Sequence, residues 1–209
     1  MQLNYRQSEN NAAQHRENIM RILTLAALAG VAIANSTAPA LAEWKTYVSK
    51  DLGFSFMAPD GVKAAVGTYR GEVAGPRQTI TFRSAEDNID YKVTVLSFTQ
   101  AQANGATLVG EREFMFRRGN TVLTDAFTQT GTGKDAIYGH KLVIDLPMNK
   151  GRTMGAFYFV NGKLIALEAT MPTNNTYASP GPARFVDSIK FSPARAEAGA
   201  IELKTPAVE

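Results

Sequence analysis

The stretch Thr153-Met-Gly-Ala-Phe-Tyr-Phe-Val-Asn-Gly-Lys-Leu-Ile-Ala-Leu-Glu-Ala-Thr-Met171 decides the fold. Asn161-Gly162 separates two alternating apolar runs. A type I′ turn needs positive φ at both central residues, which Asn-Gly accepts readily, so the stretch predicts a tight β-hairpin. A two-residue loop pairs Val160 with Lys163 and thereby sets the register. Tyr158 then faces Ile165, Ala156 faces Leu167 and Met154 faces Ala169, an apolar set expected to face the core. The other side carries Phe157 and Phe159 beside Thr153, Glu168 and Thr170, a mixture suited to partial cover by a helix.

Upstream, residues 136–146 read as a further strand, and residues 91–98 alternate Tyr91, Val93 and Val95 with Lys92 and Thr94. Residues 79–83, 44–48 and 54–57 also read as strands. The last two are split by the turn signal Lys50-Asp-Leu-Gly53 and followed by Pro59-Asp-Gly61. Residues 100–119 change period. Leu108, Val109, Met115 and Phe116 fall near helical spacing, Glu113 and Arg117 form an i,i+4 pair, and Gly119-Asn120 suits a helix end. Downstream, Ser179-Pro180 reads as an N-cap and first helical position, with Phe185, Val186 and Ile189 on one face. The pattern predicts an α+β domain, an antiparallel β-sheet flanked by two or more helices. No internal repeat is visible.

The N-terminus reads as an address rather than as part of the fold. His15, Arg16 and Arg21 precede an apolar h-region at residues 22–34, and Ala40-Leu-Ala42 supplies a small-x-small cleavage site, with cleavage after Ala42. Met20-Arg21 also resembles a natural start. The apolar run is short of the roughly 20 residues a membrane span needs, so a cleaved secretory signal is expected and no anchor after cleavage. Residues 43–192 would then form one domain, with an Ala-, Glu-, Lys- and Pro-rich flexible tail at 193–209. The expected location is periplasmic or secreted.

Removing residues 1–42 lowers the net charge from +3 to +2, since Arg6, Arg16 and Arg21 leave with Glu9 and Glu17. The remaining basic residues are scattered, which argues against a nucleic-acid partner. There is no cysteine, so the domain is stable without disulfides and lacks the lipidated residue of a usual lipoprotein.

His140 is the only histidine left after cleavage, which rules out a two-histidine zinc site and any HExxH motif. No G-x-S-x-G elbow presents a serine to it. On a strand it shares a face with Tyr138, Leu142 and Ile144, and it reads first as a satisfied histidine at a sheet edge. His140 and Tyr138 are the candidate ligand-binding residues. Glu86, Asp87 and Asp90 cluster hard oxygen donors suited to calcium, although the stretch lacks the glycine and terminal glutamate of an EF-hand and reads first as a solvated turn. Gly131-Thr-Gly-Lys-Asp-Ala136 has dinucleotide-like glycine spacing but runs into a strand rather than a helix, so it reads as a hairpin loop. Arg117-Arg118 and Lys150-Gly-Arg152 are small basic spots. No cofactor is indicated.

Two further stretches are similar to a known family. Tyr47-Val-Ser-Lys-Asp-Leu-Gly-Phe-Ser-Phe-Met-Ala-Pro-Asp-Gly61 resembles the opening of the PsbP-like superfamily, in which a Gly-Phe-x-Phe strand ends at a Pro-x-Gly turn. The hairpin at 159–172 and Ala183-Arg-Phe-Val-Asp-Ser-Ile-Lys-Phe191 resemble its late hairpin and closing helix and strand. That superfamily also includes Ran-binding Mog-type proteins and periplasmic bacterial relatives. The resemblance spans about residues 44–191, and its motifs are fold-forming, so no functional residue is carried over. It implies an antiparallel sheet between helices and an accessory or binding role.

The reading is therefore an exported, non-catalytic accessory protein whose partner is another envelope protein. The alternatives are a small-ligand or calcium-binding module, or a hydrolase centred on His140. The sequence does not set the oligomeric state.

Overall fold

The computed structural model describes residues 43–99, 104–173, 179–191 and 199–207. The signal-cleavage residues Ala40 and Ala42 lie outside them. The elements run β1 (Trp44–Ser49), β2 (Phe54–Pro59), β3 (Lys63–Gly71), β4 (Gly75–Glu86), β5 (Ile89–Ser97) and α1 (Gly105–Arg117). They continue with β6 (Thr121–Thr130), β7 (Ile137–Asp145), β8 (Arg152–Val160), β9 (Lys163–Met171), α2 (Gly181–Asp187), β10 (Lys190–Phe191) and β11 (Ile201–Glu202).

The β8–β9 hairpin pairs as its sequence requires. Val160 opposes Lys163, Tyr158 opposes Ile165 and Ala156 opposes Leu167. Asn161 and Gly162 both have positive φ, 49° and 70°. This hairpin is central to a seven-stranded antiparallel sheet in the order β3-β4-β5-β9-β8-β7-β6. One antiparallel sheet was expected, but a second, four-stranded one is present, ordered β10-β2-β1-β11. Its outermost strand corrects another expectation. Within the stretch predicted to be a flexible tail, Ile201 and Glu202 pair in parallel with Tyr47 and Val48, and the Leu203 N–H donates to the Val48 carbonyl. The open edge of β1, rather than local composition, orders this segment.

Each face of the large sheet is covered. On one face Tyr158, Ile165 and Leu167 join Phe54 and Phe56 of the small sheet and Phe185 of α2 in the main core. Burying a side chain the size of Phe185 contributes roughly 1.5–3 kcal/mol. Phe185 packs edge-on against Phe56, with ring centroids 6.0 Å apart. On the opposite face lies α1, whose Leu108 and Phe116 bury against the sheet. Phe116 meets Phe157 edge-on at 5.2 Å, and Gly155 provides the room, since a Cβ there would stand 2.9 Å from the Phe116 ring.

Helix α1 begins where Asn104 Oδ1 accepts the Thr107 N–H at 3.2 Å, and it ends ahead of Gly119, at φ 76°. Helix α2 starts one residue later than expected: Pro180 is its N-cap and offers no side-chain cap bond, while the Ser179 hydroxyl one residue earlier accepts the Gly181 N–H. Below α1, Glu168 of β9 is buried between Arg112 of α1 and Lys92 of β5, which both pair with it. Burial raises its carboxyl and the two cations lower it, with a net shift below the usual range. No helix among the described residues is long and apolar enough to cross a membrane.

Candidate functional site

His140 sits on β7, one strand inside the edge, which is formed by β6. It does share a face with Tyr138, Leu142 and Ile144, and that face is the one α1 covers. Its Nδ1 is 2.7 Å from Glu113 Oε1 on α1, and its Nε2 is 3.0 Å from Asp125 Oδ1 on β6. The Nδ1 approach is a close contact without hydrogen-bond alignment. Arg117, one turn after Glu113, stands 3.6 Å from Glu113 Oε2 and 2.5 Å from Asp125 Oδ2. Four charged or titratable side chains from α1, β6 and β7 thus close into one network.

The network's chemistry follows from who can donate. A neutral imidazole has a single N–H, and both of its neighbours here are carboxylates. One of the two contacts therefore needs an additional proton, on the imidazole or on Glu113. Burial raises the Glu113 carboxyl above the usual range, His140 and Arg117 offset this in part, and Asp125 adds to the rise. Asp125 is the opposite case, held below the usual range by its hydrogen bond from Arg117. A catalytic base must turn one nitrogen toward substrate. Both nitrogens of His140 are turned toward carboxylates, so the residue ties three elements together instead of presenting a reactive lone pair.

A groove of about 520 Å³ runs beside this network, between α1 and the β6–β7 strands. Phe127, Tyr138 and Phe159 line it together with Glu113 and His140. Phe127 is 89% exposed and meets the His140 ring edge-on at 5.1 Å. Tyr138 is 69% exposed. On the helix side Gly105 permits close approach, because a Cβ there would stand 2.5 Å from the Phe159 ring. Gly110 differs: a Cβ there would meet nothing within 4 Å. A helix-interior glycine costs about 1 kcal/mol relative to alanine. Here that cost is not forced by packing, and its effect is an open groove.

The two candidate ligand residues therefore lie together in this groove, with Tyr138 open to solvent and His140 engaged. The calcium candidates do not converge. Asp87 and Asn88, at φ 51° and 63°, form the tight turn between β4 and β5. Glu86 accepts the Trp44 indole N–H at 3.0 Å, and Asp90 lies 3.7 Å from Arg83. Among the described residues no group of three or more histidines and carboxylates is placed to hold a metal ion. The glycine-rich stretch at 131–136 is the loop joining β6 to β7, with a short 3-10 turn at Gly133–Asp135. Of the basic spots, Arg117 belongs to the network, and Arg152 pairs with Asp145 at 2.8 Å.

Sequence reasoning found His140, and it found Glu113 with Arg117 as a helix pair. Asp125 and Phe127 carry no such local signal, because β6 is an exposed edge strand whose register shift breaks the apolar alternation.

The chain resembles solved proteins in its fold. It is similar to the solution structure of cyanobacterial PsbP (CyanoP) from Synechocystis sp. PCC 6803, at 15% identity over 76% of this chain and 98% of that one, with a TM-score of 0.46. No family model matches the sequence, and no curated protein matches it.

Proposed function

We propose that this chain is an exported, non-catalytic accessory protein that binds another polypeptide of the bacterial envelope, with β6 as the docking strand. The observation that carries the reading is the character of β6. It is a ten-residue edge strand with no second neighbour among the described residues, and it leaves Val122, Leu123 and Phe127 exposed. Long open edges are templates for strand addition, and proteins commonly guard them with lysine or proline. β6 has neither, and its only guards are the register shift between Val122 and Thr124 and the inward-facing Asp125, whereas the opposite edge, β3, carries Lys63 and Arg70. The secretory signal read at residues 20–42 supports the location, and the PsbP-like phrasing of residues 44–191 supports an accessory role.

Two measurements test this. Cell fractionation with N-terminal sequencing is expected to find a chain beginning at Glu43 outside the cytoplasm. A photo-crosslinking residue at position 123 is expected to give an adduct of discrete mass in the envelope. The same probe at position 66 on β3 should give none, and Leu123→Lys in a chain probed at position 122 should abolish the adduct. Equal labelling from both edges, or none from an exported chain, overturns the docking assignment.

A further inference from the structure

We infer that the groove between α1 and the β6–β7 strands is a binding site for an organic cation, an alkylated ammonium carried on a small apolar body. Its volume of about 520 Å³ falls within the roughly 300–1,000 Å³ of small-molecule sites. Its walls are the rings of Phe127, Tyr138 and Phe159, and neither lysine nor arginine lines it. Besides the Tyr138 phenol, the titratable groups in the lining are Glu113 and His140, and both His140 nitrogens already face carboxylates. An anion entering here would meet aromatic faces and a carboxylate, with no uncommitted cation to receive it. A cation meets the reverse. Aromatic faces carry the negative end of the ring quadrupole, and they attract alkylammonium groups even at exposed rings such as Phe127 and Tyr138.

Glu113 points the same way. Its carboxylate is largely buried, and of its neighbours His140 and Arg117 the latter is shared with Asp125. Burial outweighs those neighbours and raises its carboxyl, so an additional positive charge in the groove would favour the ionised form. Gly110 keeps the helix side of the groove empty without being required by packing, and Ala106 and Val109 beside it supply an apolar bed for the ligand's body.

The ligand chemistry has two sources, a free small molecule or the headgroup of a choline lipid, and the test separates them. The purified full chain is titrated with choline and with 3,3-dimethylbutan-1-ol, its neutral carbon isostere, while the side-chain resonances of Phe127 and Tyr138 are followed by NMR. Flotation with phosphatidylcholine and phosphatidylglycerol vesicles forms the second arm. Choline is expected to shift those resonances saturably and to bind at least tenfold more tightly than the isostere. Phe127→Ala, a substitution at an exposed side chain, should weaken choline about threefold, the loss of one exposed cation–π contact. Gly110→Leu fills the groove without removing a charge and should abolish binding in a chain that still unfolds cooperatively. Leu123→Lys, which disables the proposed docking strand, should leave choline binding unchanged, so the two proposals fail separately. Flotation with phosphatidylcholine in the absence of free-choline binding identifies the lipid headgroup as the source. Equal affinity for the isostere, preference for phosphatidylglycerol, choline binding unaffected by both groove variants, or no binding in either arm overturns the inference.

Discussion

Glu113 and His140 are 27 positions apart in sequence, yet Glu113 Oε1 lies 2.7 Å from His140 Nδ1 across the interface between α1 and β7. Asp125 closes on the other ring nitrogen from β6, so the imidazole joins the helix, an inner strand and the edge strand. The contact fixes the side of the groove on which α1 stands and holds β6, the strand proposed to dock a partner.

Replacing that imidazole should loosen all three elements at once. His140→Ala leaves Glu113 and Asp125 sharing Arg117, and an uncompensated, partly buried polar group costs about 1–3 kcal/mol. Equilibrium urea denaturation reads the loss. A double-mutant cycle with Asp125→Asn should show non-additivity, because the two residues belong to one network. Strict additivity would mean that the Nε2 contact contributes nothing.

Glu168 governs a second buried network, and removing its charge strands Arg112 and Lys92 beneath α1. Glu168→Gln is expected to cost about 3 kcal/mol, the low end for breaking a buried pair because Lys92 keeps some contact with solvent. Urea denaturation at neutral pH measures it.

The same residue sets part of the acid limit. Its carboxyl is held below the usual range in the folded chain, so the stabilisation it gives is complete above the unfolded carboxyl value of about 4.3. That stabilisation is lost as pH falls through the lower folded value, where the carboxylate becomes protonated between its two cations. A stability profile from pH 7 to pH 2 should fall less steeply at its acid end in Glu168→Gln than in the parent. Parallel profiles would show that other carboxylates control acid unfolding.

Gly139 lies between His140 and Tyr138, but its missing side chain serves the opposite face of the sheet. A Cβ there would stand 2.4 Å from the Tyr158 ring and 2.5 Å from the Phe157 carbonyl oxygen. Gly139→Ala should therefore destabilise the fold by about 1–3 kcal/mol, the usual cost of overpacking. Thermal unfolding gives the sign directly.

Removal of residues 199–209 should expose the outer edge of β1. The lost contacts include the Leu203 N–H to Val48 carbonyl bond and the 2.6 Å ion pair between Lys50 and Glu202. The ion pair is exposed and contributes little, so the expected cost is about 1 kcal/mol, set mainly by the backbone bond. Amide exchange along β1 should quicken more than exchange along β8, in the centre of the large sheet.

Local sequence by itself determined the parts of this protein whose signals lie within a few residues of one another. Asn161-Gly162 dictated the turn, the turn dictated the β8–β9 register, and alternation then assigned Tyr158 and Phe157 to opposite faces. Glu113 and Arg117 were legible as neighbours because one helical turn separates them. Only the tertiary structure decided the rest. β3 and β6 lie at sheet edges and are largely exposed, so neither needs a clean apolar alternation, and a register shift between Val122 and Thr124 breaks the period further. Ile201 and Glu202 become a strand because β1 offers an unpaired edge about 150 residues earlier in the chain, a fact that no local composition encodes. The groove and its His140 network belong to the same class. Their residues come from elements whose mutual placement is set by core packing, and spacing along the chain carries no record of it.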